Sequence, residues 1–189
     1  MIPKKRALFL DRDGVINIDH GYVHCPDHFE FIPGIFELCR KAIELDYLIV
    51  VVTNQAGIGR GYYSEQQFHE LTDWMCKEFA FRNITIKRVY FCPYHAEHGI
   101  GDYKRESTFR KPGPGMILQA AEELHLGLAR SVLVGDKESD IQAGITAGIK
   151  YNILYRPLEP TKLTDSMAFI AIGDLARVET ILNDLENRR

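Results

Sequence analysis

Ala7-Leu8-Phe9-Leu10-Asp11-Arg12-Asp13-Gly14-Val15 changes character abruptly at its midpoint. Its first four residues are apolar and uncharged, as in a short buried strand. Two carboxylates one residue apart, Asp11 and Asp13, follow at once. An unpaired charge at the end of a buried strand is costly, and a divalent cation is the simplest compensation. Gly14 permits a tight turn that aims backbone amides at the same place. Open parallel sheets bind ligands at the carboxyl ends of their strands, so chemistry is expected at Asp11 and Asp13. A solvated turn would carry an Asp-x-Asp pair as well, and the rest of the chain has to discriminate.

Outward from that point, residues 47–52 form a second apolar, β-branched run that stops at Thr53-Asn54-Gln55. A glycine-rich stretch follows, Ala56-Gly57-Ile58-Gly59-Arg60-Gly61. Small hydroxyls and free amides bind phosphate oxygens without bulk; a glycine-rich loop can also be merely flexible. Further strands are predicted over 84–92 with a break near Lys87, and over 131–134, 151–155 and 167–172. Helical spacing recurs over 35–45, 64–81, 116–124, 141–147 and 175–185. Ser64-Glu65-Gln66-Gln67 has the form of a capping box. Phe68, Leu71, Trp74, Met75 and Phe79 make a stripe expected to face the core. Strand alternating with helix predicts a doubly wound α/β fold, a Rossmann-like parallel sheet with helices on both faces. No linker, repeat or low-complexity segment interrupts it, so a single domain over 1–189 is expected.

Composition sets outer limits. With 46% hydrophobic and 26% charged residues, the 189-residue chain has the make-up of a soluble globular protein with a sizeable core. A net charge of -3 gives no basic face for nucleic acid. Met1 to Arg6 is basic, but the apolar run after it is too short for a signal peptide. No apolar run reaches membrane-spanning length. The four cysteines, Cys25, Cys39, Cys76 and Cys92, are irregularly spaced. A cytoplasmic monomer with reduced thiols is the expectation.

Four stations carry chemistry. Asp11 and Asp13 end one strand and Thr53 ends another. Lys111, in Arg110-Lys111-Pro112, precedes a helix, and Asp136 and Asp140 follow the strand over 131–134. Together they offer carboxylates for a hard cation, a hydroxyl and an amine for a phosphate, and a carboxylate able to attack. On these motifs the chain resembles the haloacid dehalogenase (HAD) superfamily of phosphotransferases. Asp19-His20-Gly21-Tyr22-Val23, Asn54-Gln55-Ala56-Gly57-Ile58, Phe91-Cys92-Pro93 and Val134-Gly135-Asp136-Lys137 are similar to the family of heptose bisphosphate and histidinol-phosphate phosphatases. The resemblance spans roughly residues 7–156.

It implies a Mg²⁺-dependent phosphomonoesterase. Asp11 would be the nucleophile, forming an aspartyl-phosphate, and Asp13 the general acid and base. Thr53 and Lys111 would hold phosphoryl oxygens. Mg²⁺ would be held by the Asp11 carboxylate, the Asp13 carbonyl and Asp136. Asp140 would orient Lys111 or a metal-bound water, or simply cap the following helix. Asp19, His20, Gly21 and Tyr22 would form a flap, with Asn54, Gln55 and Ala56 lining the pocket. Arg110 and Lys137 would meet a second anionic group on a sugar bisphosphate; Arg60 would be a third such cation or, as the plainer alternative, face solvent. No insertion is large enough for a cap domain. The expected reaction is removal of the C7 phosphate of D-glycero-D-manno-heptose 1,7-bisphosphate. The alternatives are a histidinol-phosphate or other small-molecule phosphatase, and a non-catalytic phosphate-binding module. The family often carries a structural zinc on a Cys-x-His…Cys-x-Cys pattern. Here Tyr94 stands at the histidine position, with His95 next, and Ser107-Thr108-Phe109 replaces the second pair. Cys92, His95 and His98, with Asp102 a poor fourth ligand, fall short of a zinc site, so none is expected.

Overall fold

The computed structural model describes residues 4–157 and 169–187. Six strands form one sheet: β1 (Arg6–Leu10), β2 (Tyr47–Asn54), β3 (Ile86–Cys92), β4 (Val132–Gly135), β5 (Tyr151–Tyr155) and β6 (Phe169–Ile172). Their order is β3-β2-β1-β4-β5-β6 and every neighbouring pair is parallel. The direction of winding reverses beside β1, so the crevice characteristic of such sheets opens at the carboxyl ends of β1 and β4. The strand expected over 167–172 begins at Phe169; residues 167 and 168 lie outside the described residues.

Both faces of the sheet are covered, as the doubly wound expectation requires. Side chains alternate along a strand, and β1 shows the division. Leu8 and Leu10 join one core with α1 (Ile35–Glu44), α3 (Glu65–Ala80) and α6 (Ala176–Asn187). Ala7 and Phe9 join the other with α4 (Gly115–Glu123) and α5 (Glu138–Ala147). The central strands are buried on both sides, which is why they read as unbroken apolar runs. Burial of each large side chain contributes roughly 1.5–3 kcal/mol. The break near Lys87 is a bulge: Ile49 pairs with Ile86 and Val50 with Arg88, leaving Lys87 unopposed.

Three local expectations are corrected. The glycine-rich stretch after Gln55 is not a loop throughout, because Ala56–Gly59 makes one helical turn, α2. Its glycines allow close packing: a Cβ on Gly57 would lie 2.2 Å from the Tyr63 ring and 2.9 Å from the Tyr22 ring. The helix expected over 141–147 starts at Glu138, because Asp140 Oδ2 accepts from the Lys137 amide and caps the end. The stripe on α3 also divides. Leu71, Met75 and Phe79 face the sheet, whereas Phe68 packs with Ile58 and Tyr63 in a small separate cluster. Trp74 is half-buried against Phe29 and Phe31. Among the described residues, no helix is long and apolar enough to cross a membrane.

The capping box at Ser64 is complete: Ser64 Oγ accepts from the Gln67 amide at 3.1 Å, and Gln67 Oε1 from the Ser64 amide at 2.9 Å. Ser64→Ala should cost about 0.5–2 kcal/mol, read as a lower urea midpoint at unchanged m-value.

Candidate active site

β1 ends at Leu10, and the chain turns under Asp11. Asp11 is 6% exposed, and its Oδ1 accepts from the Arg12 amide at 2.8 Å and from Lys111 Nζ at 2.9 Å. No hydrogen bond from the described residues reaches Oδ2, so this oxygen keeps its lone pairs. Lys111 comes from the segment before α4 and is 3% exposed. Its ammonium donates to Asp11, to Asp140 Oδ1 at 2.6 Å and to the Val52 carbonyl at 2.9 Å. All three of its hydrogens are therefore engaged. Burial pushes the Lys111 pKa down, but the Asp11 and Asp140 carboxylates outweigh it, and the net shift is upward. Asp140 performs both roles considered for it. One oxygen holds Lys111 and the other caps α5.

The charges do not balance within the protein. Asp11, Asp136 and Asp140 place ligand oxygens within 4.8 Å of one another, against two ammonium groups: Lys111, which holds Asp11 and Asp140, and Lys137, 3.5 Å from Asp136. Burial lifts the Asp11 carboxyl to about 8, with Lys111 opposing and Asp140, Asp136 and Asp13 reinforcing. Asp136 is also raised, first by burial. Asp136 Oδ1 is buried without a hydrogen-bond partner. An orphaned carboxylate oxygen among hard donors suits a hard divalent cation. Gly14 lets the turn pass close by: its φ is +96°, and a Cβ there would lie 2.4 Å from Asp136 Oδ2.

Asp13 sits beside this group. Its Oδ1 accepts from Arg12 Nε at 3.2 Å, Arg12 Nη2 at 2.9 Å and Asn17 Nδ2 at 3.1 Å; its Oδ2 accepts from Gln55 Nε2 at 2.9 Å. Arg12, 1% exposed, also donates to the Val23 carbonyl at 2.7 Å, tying the end of the 19–23 loop to Asp13. Asp19 is joined to Lys137 at 3.1 Å, and Lys137 lies 3.5 Å from Asp136. Burial favours the neutral form of Asp19, yet Lys137 and the Gly21 amide hold its carboxyl below the usual range. His20 faces solvent beside Glu30. Tyr22 adopts φ +55° and lies edge-on to Tyr62, under the Arg60 guanidinium.

Two residues expected to line the pocket have side chains hydrogen-bonded within the protein. Thr53 is 1% exposed at the end of β2. Asn54 points to the opposite face, where its side chain exchanges two hydrogen bonds with the Lys111 backbone. Gln55, also 1% exposed, points back to Asp13 and Thr53. Alternation along β2 was the available signal: residues 53 and 55 share a face and 54 opposes them. Ala56 opens α2. Arg110 is half-buried, donating to the Tyr94 carbonyl, and burial and nearby Arg60 lower its pKa. Neither arginine has a carboxylate partner among the described residues. Sequence reasoning passed over Arg12 and Asn17, whose side chains hold Asp13.

Cys92 closes β3, and His95 and His98 follow it. Cys92 is fully buried. His95 Nδ1 accepts from the backbone amides of Glu97 and His98. Among the described residues, the one group able to hold a metal ion is Asp11, Asp136 and Asp140. Backbone bonds from Ile100 to Gly59 and from His95 to Tyr103 hold the segment, with the Arg105 guanidinium over the Tyr94 ring.

Residues 108–156 match a family model described as HAD-hydrolase-like. A D-glycero-alpha-D-manno-heptose-1,7-bisphosphate 7-phosphatase of Burkholderia mallei is 63% identical over 151 residues, 80% of each chain. A D-glycero-beta-D-manno-heptose-1,7-bisphosphate 7-phosphatase of Vibrio cholerae is 47% identical, covering 92% of this chain and 94% of the relative. Among solved structures, D,D-heptose 1,7-bisphosphate phosphatase from B. bronchiseptica, complexed with magnesium and phosphate, superposes with a TM-score of 0.78. It is 28% identical and covers 95% of this chain and 98% of that one.

Removing the Lys111 ammonium strands two buried carboxylates. Lys111→Met should therefore destabilise the metal-free protein by about 3–5 kcal/mol, measured by chemical denaturation.

Proposed function

The chain belongs to the HAD-like hydrolases and, within them, to the D-glycero-D-manno-heptose-1,7-bisphosphate 7-phosphatase family, and from that membership we propose a Mg²⁺-dependent phosphatase that removes the C7 phosphate of this sugar bisphosphate. The observation that carries the proposal is the meeting of Asp11, Lys111, Asp136 and Asp140 at one sheet edge. Asp11 Oδ2, the oxygen left open, attacks phosphorus. The bond to the sugar oxygen breaks, Asp13 gives that oxygen a proton, and an aspartyl-phosphate remains. Asp13 then takes a proton from the water that attacks the phosphorus, releasing phosphate and restoring Asp11. Thr53 and Lys111 hold the non-bridging oxygens; for Lys111 this means exchanging one of its three internal partners. The Asp11 carboxylate, the Asp13 carbonyl and Asp136 would hold Mg²⁺, which when bound offsets the repulsion between carboxylate and phosphate.

Arg110 and Arg60, unpaired by any described carboxylate, suit the second phosphate of the substrate. Lys137 and Asp19, linked to each other and to Asp136, place the 19–23 loop beside the leaving group. The higher identity to the relative named for the alpha anomer favours that anomer. Residues 1–189 would act as one catalytic domain and as a monomer, and the four free thiols suit the cytoplasm. The segment after β3 would work without zinc.

A panel of phosphate esters tests the substrate. The heptose bisphosphate should exceed histidinol phosphate in kcat/KM by at least about tenfold, a difference of about 1.4 kcal/mol in transition-state binding. Phosphate release from no ester, with or without Mg²⁺, would favour a binding module. Asp11→Asn should abolish turnover. Arg110→Ala should raise KM more than it lowers kcat. Elemental analysis of the purified protein should find less than stoichiometric zinc.

A further inference from the structure

Asp13 lies in the turn after β1 and Thr53 near the end of β2, yet one amide touches both. Gln55 Nε2 lies 2.9 Å from Asp13 Oδ2 and 2.8 Å from Thr53 Oγ1, and Gln55 Oε1 lies 2.5 Å from the Tyr63 hydroxyl. The direction of each bond follows from what the groups can do. The amide nitrogen donates to Asp13 Oδ2 and the amide oxygen takes the Tyr63 proton, and Oδ2 can accept this bond whether or not it carries a proton of its own. The two amide hydrogens then go one to Asp13 and one to Thr53. Thr53 Oγ1 is an acceptor in this arrangement, and its own hydrogen is left for another oxygen. At Asp13 the two oxygens become unequal. Oδ1 receives three N–H groups from Arg12 and Asn17, while Oδ2 receives one. With about two lone-pair sites per oxygen, Oδ1 is saturated and Oδ2 keeps one site free.

We propose that Gln55 is a positioning residue and not a substrate contact. Its amide, aligned by Tyr63, turns the Thr53 hydrogen toward a phosphoryl oxygen and leaves Asp13 Oδ2 as the oxygen that carries the proton. That proton passes from Oδ2 to the leaving sugar oxygen as the P–O bond breaks, and returns from water in the second half-reaction. The proposal rests on Asp13 as general acid and base. Gln55 is 1% exposed and all its polar atoms are bonded within the protein, as a group acting through its neighbours would be.

The experiment is steady-state kinetics on the heptose bisphosphate with Gln55→Leu, Tyr63→Phe and the double variant, with Asp13→Asn as control. Gln55→Leu should lower kcat on the order of 10²-fold, as expected when proton transfer is misaligned, with KM changed by less than about threefold. Tyr63→Phe, which only releases the amide, should lower kcat by about tenfold. Added to Gln55→Leu, it should cost less than about twofold more, because its route is already cut. A KM raised about tenfold at retained kcat would make Gln55 a substrate contact and overturn the proposal. So would a kcat within about threefold of wild type, or additive losses in the double variant. If Gln55→Leu does not fold, Tyr63→Phe decides by the same division between kcat and KM. Activity retained by Asp13→Asn would instead remove the acid–base role on which the proposal rests.

Discussion

The Lys111 ammonium is the joint on which the site depends. It is fixed by the Asp11 carboxylate after β1, the Asp140 carboxylate in α5 and the Val52 carbonyl in β2. Segments far apart in sequence are therefore held to one another by a single buried charge. Two carboxylates around one ammonium, with Asp136 beside Lys137 nearby, leave carboxyl groups in excess over ammonium groups at a site where Asp11, Lys111 and Asp140 are buried. Such an imbalance is unfavourable for a fold alone. It is favourable for a protein that takes up a divalent cation together with a phosphate, since the cation offsets the negative charge of both the carboxylates and the phosphate.

The sheet explains why these groups meet. Reversal of the winding beside β1 leaves a gap between its carboxyl end and that of β4, and both acidic motifs lie at that gap. The Asn54 side chain, on the other face of β2, grips the backbone of Lys111 and sets the depth to which the lysine reaches. The long apolar strands and packed helices thus hold these groups at one edge of the sheet.

Much of this was legible in the sequence. The strands could be read because full burial demands uninterrupted apolar runs, and the bulge at Lys87 because a charged residue interrupts one. The four stations could be read because carboxylates, a hydroxyl and a lysine at strand ends need a reason to be there. Direction was harder to read. Asn54 and Gln55 were both expected to line the pocket, and strand alternation sends them to opposite sides, each with hydrogen bonds within the protein. The helical turn at Ala56–Gly59 was hidden because glycine composition suggests freedom, while here the missing side chains admit the Tyr22 and Tyr63 rings. Arg12 was passed over because a charged residue between two aspartates looks like part of a turn; its burial depends on Val23 and Asn17, which no local pattern announces. Either duty of Asp140 could be read from the sequence, but that one carboxylate performs both depends on the three-dimensional proximity of Lys111, which sequence spacing does not encode.

The loop that overhangs the site has two moorings: Asp19 to Lys137 and the Val23 carbonyl to Arg12. Between them only His20, Gly21 and Tyr22 are untethered to the acidic centre. Changes at these three positions therefore leave both anchors, and the carboxylates beneath them, where they are, within the limits that the left-handed backbone at Gly21 and Tyr22 and the packing of the Tyr22 ring on Tyr62 and Gly57 set on the letters allowed.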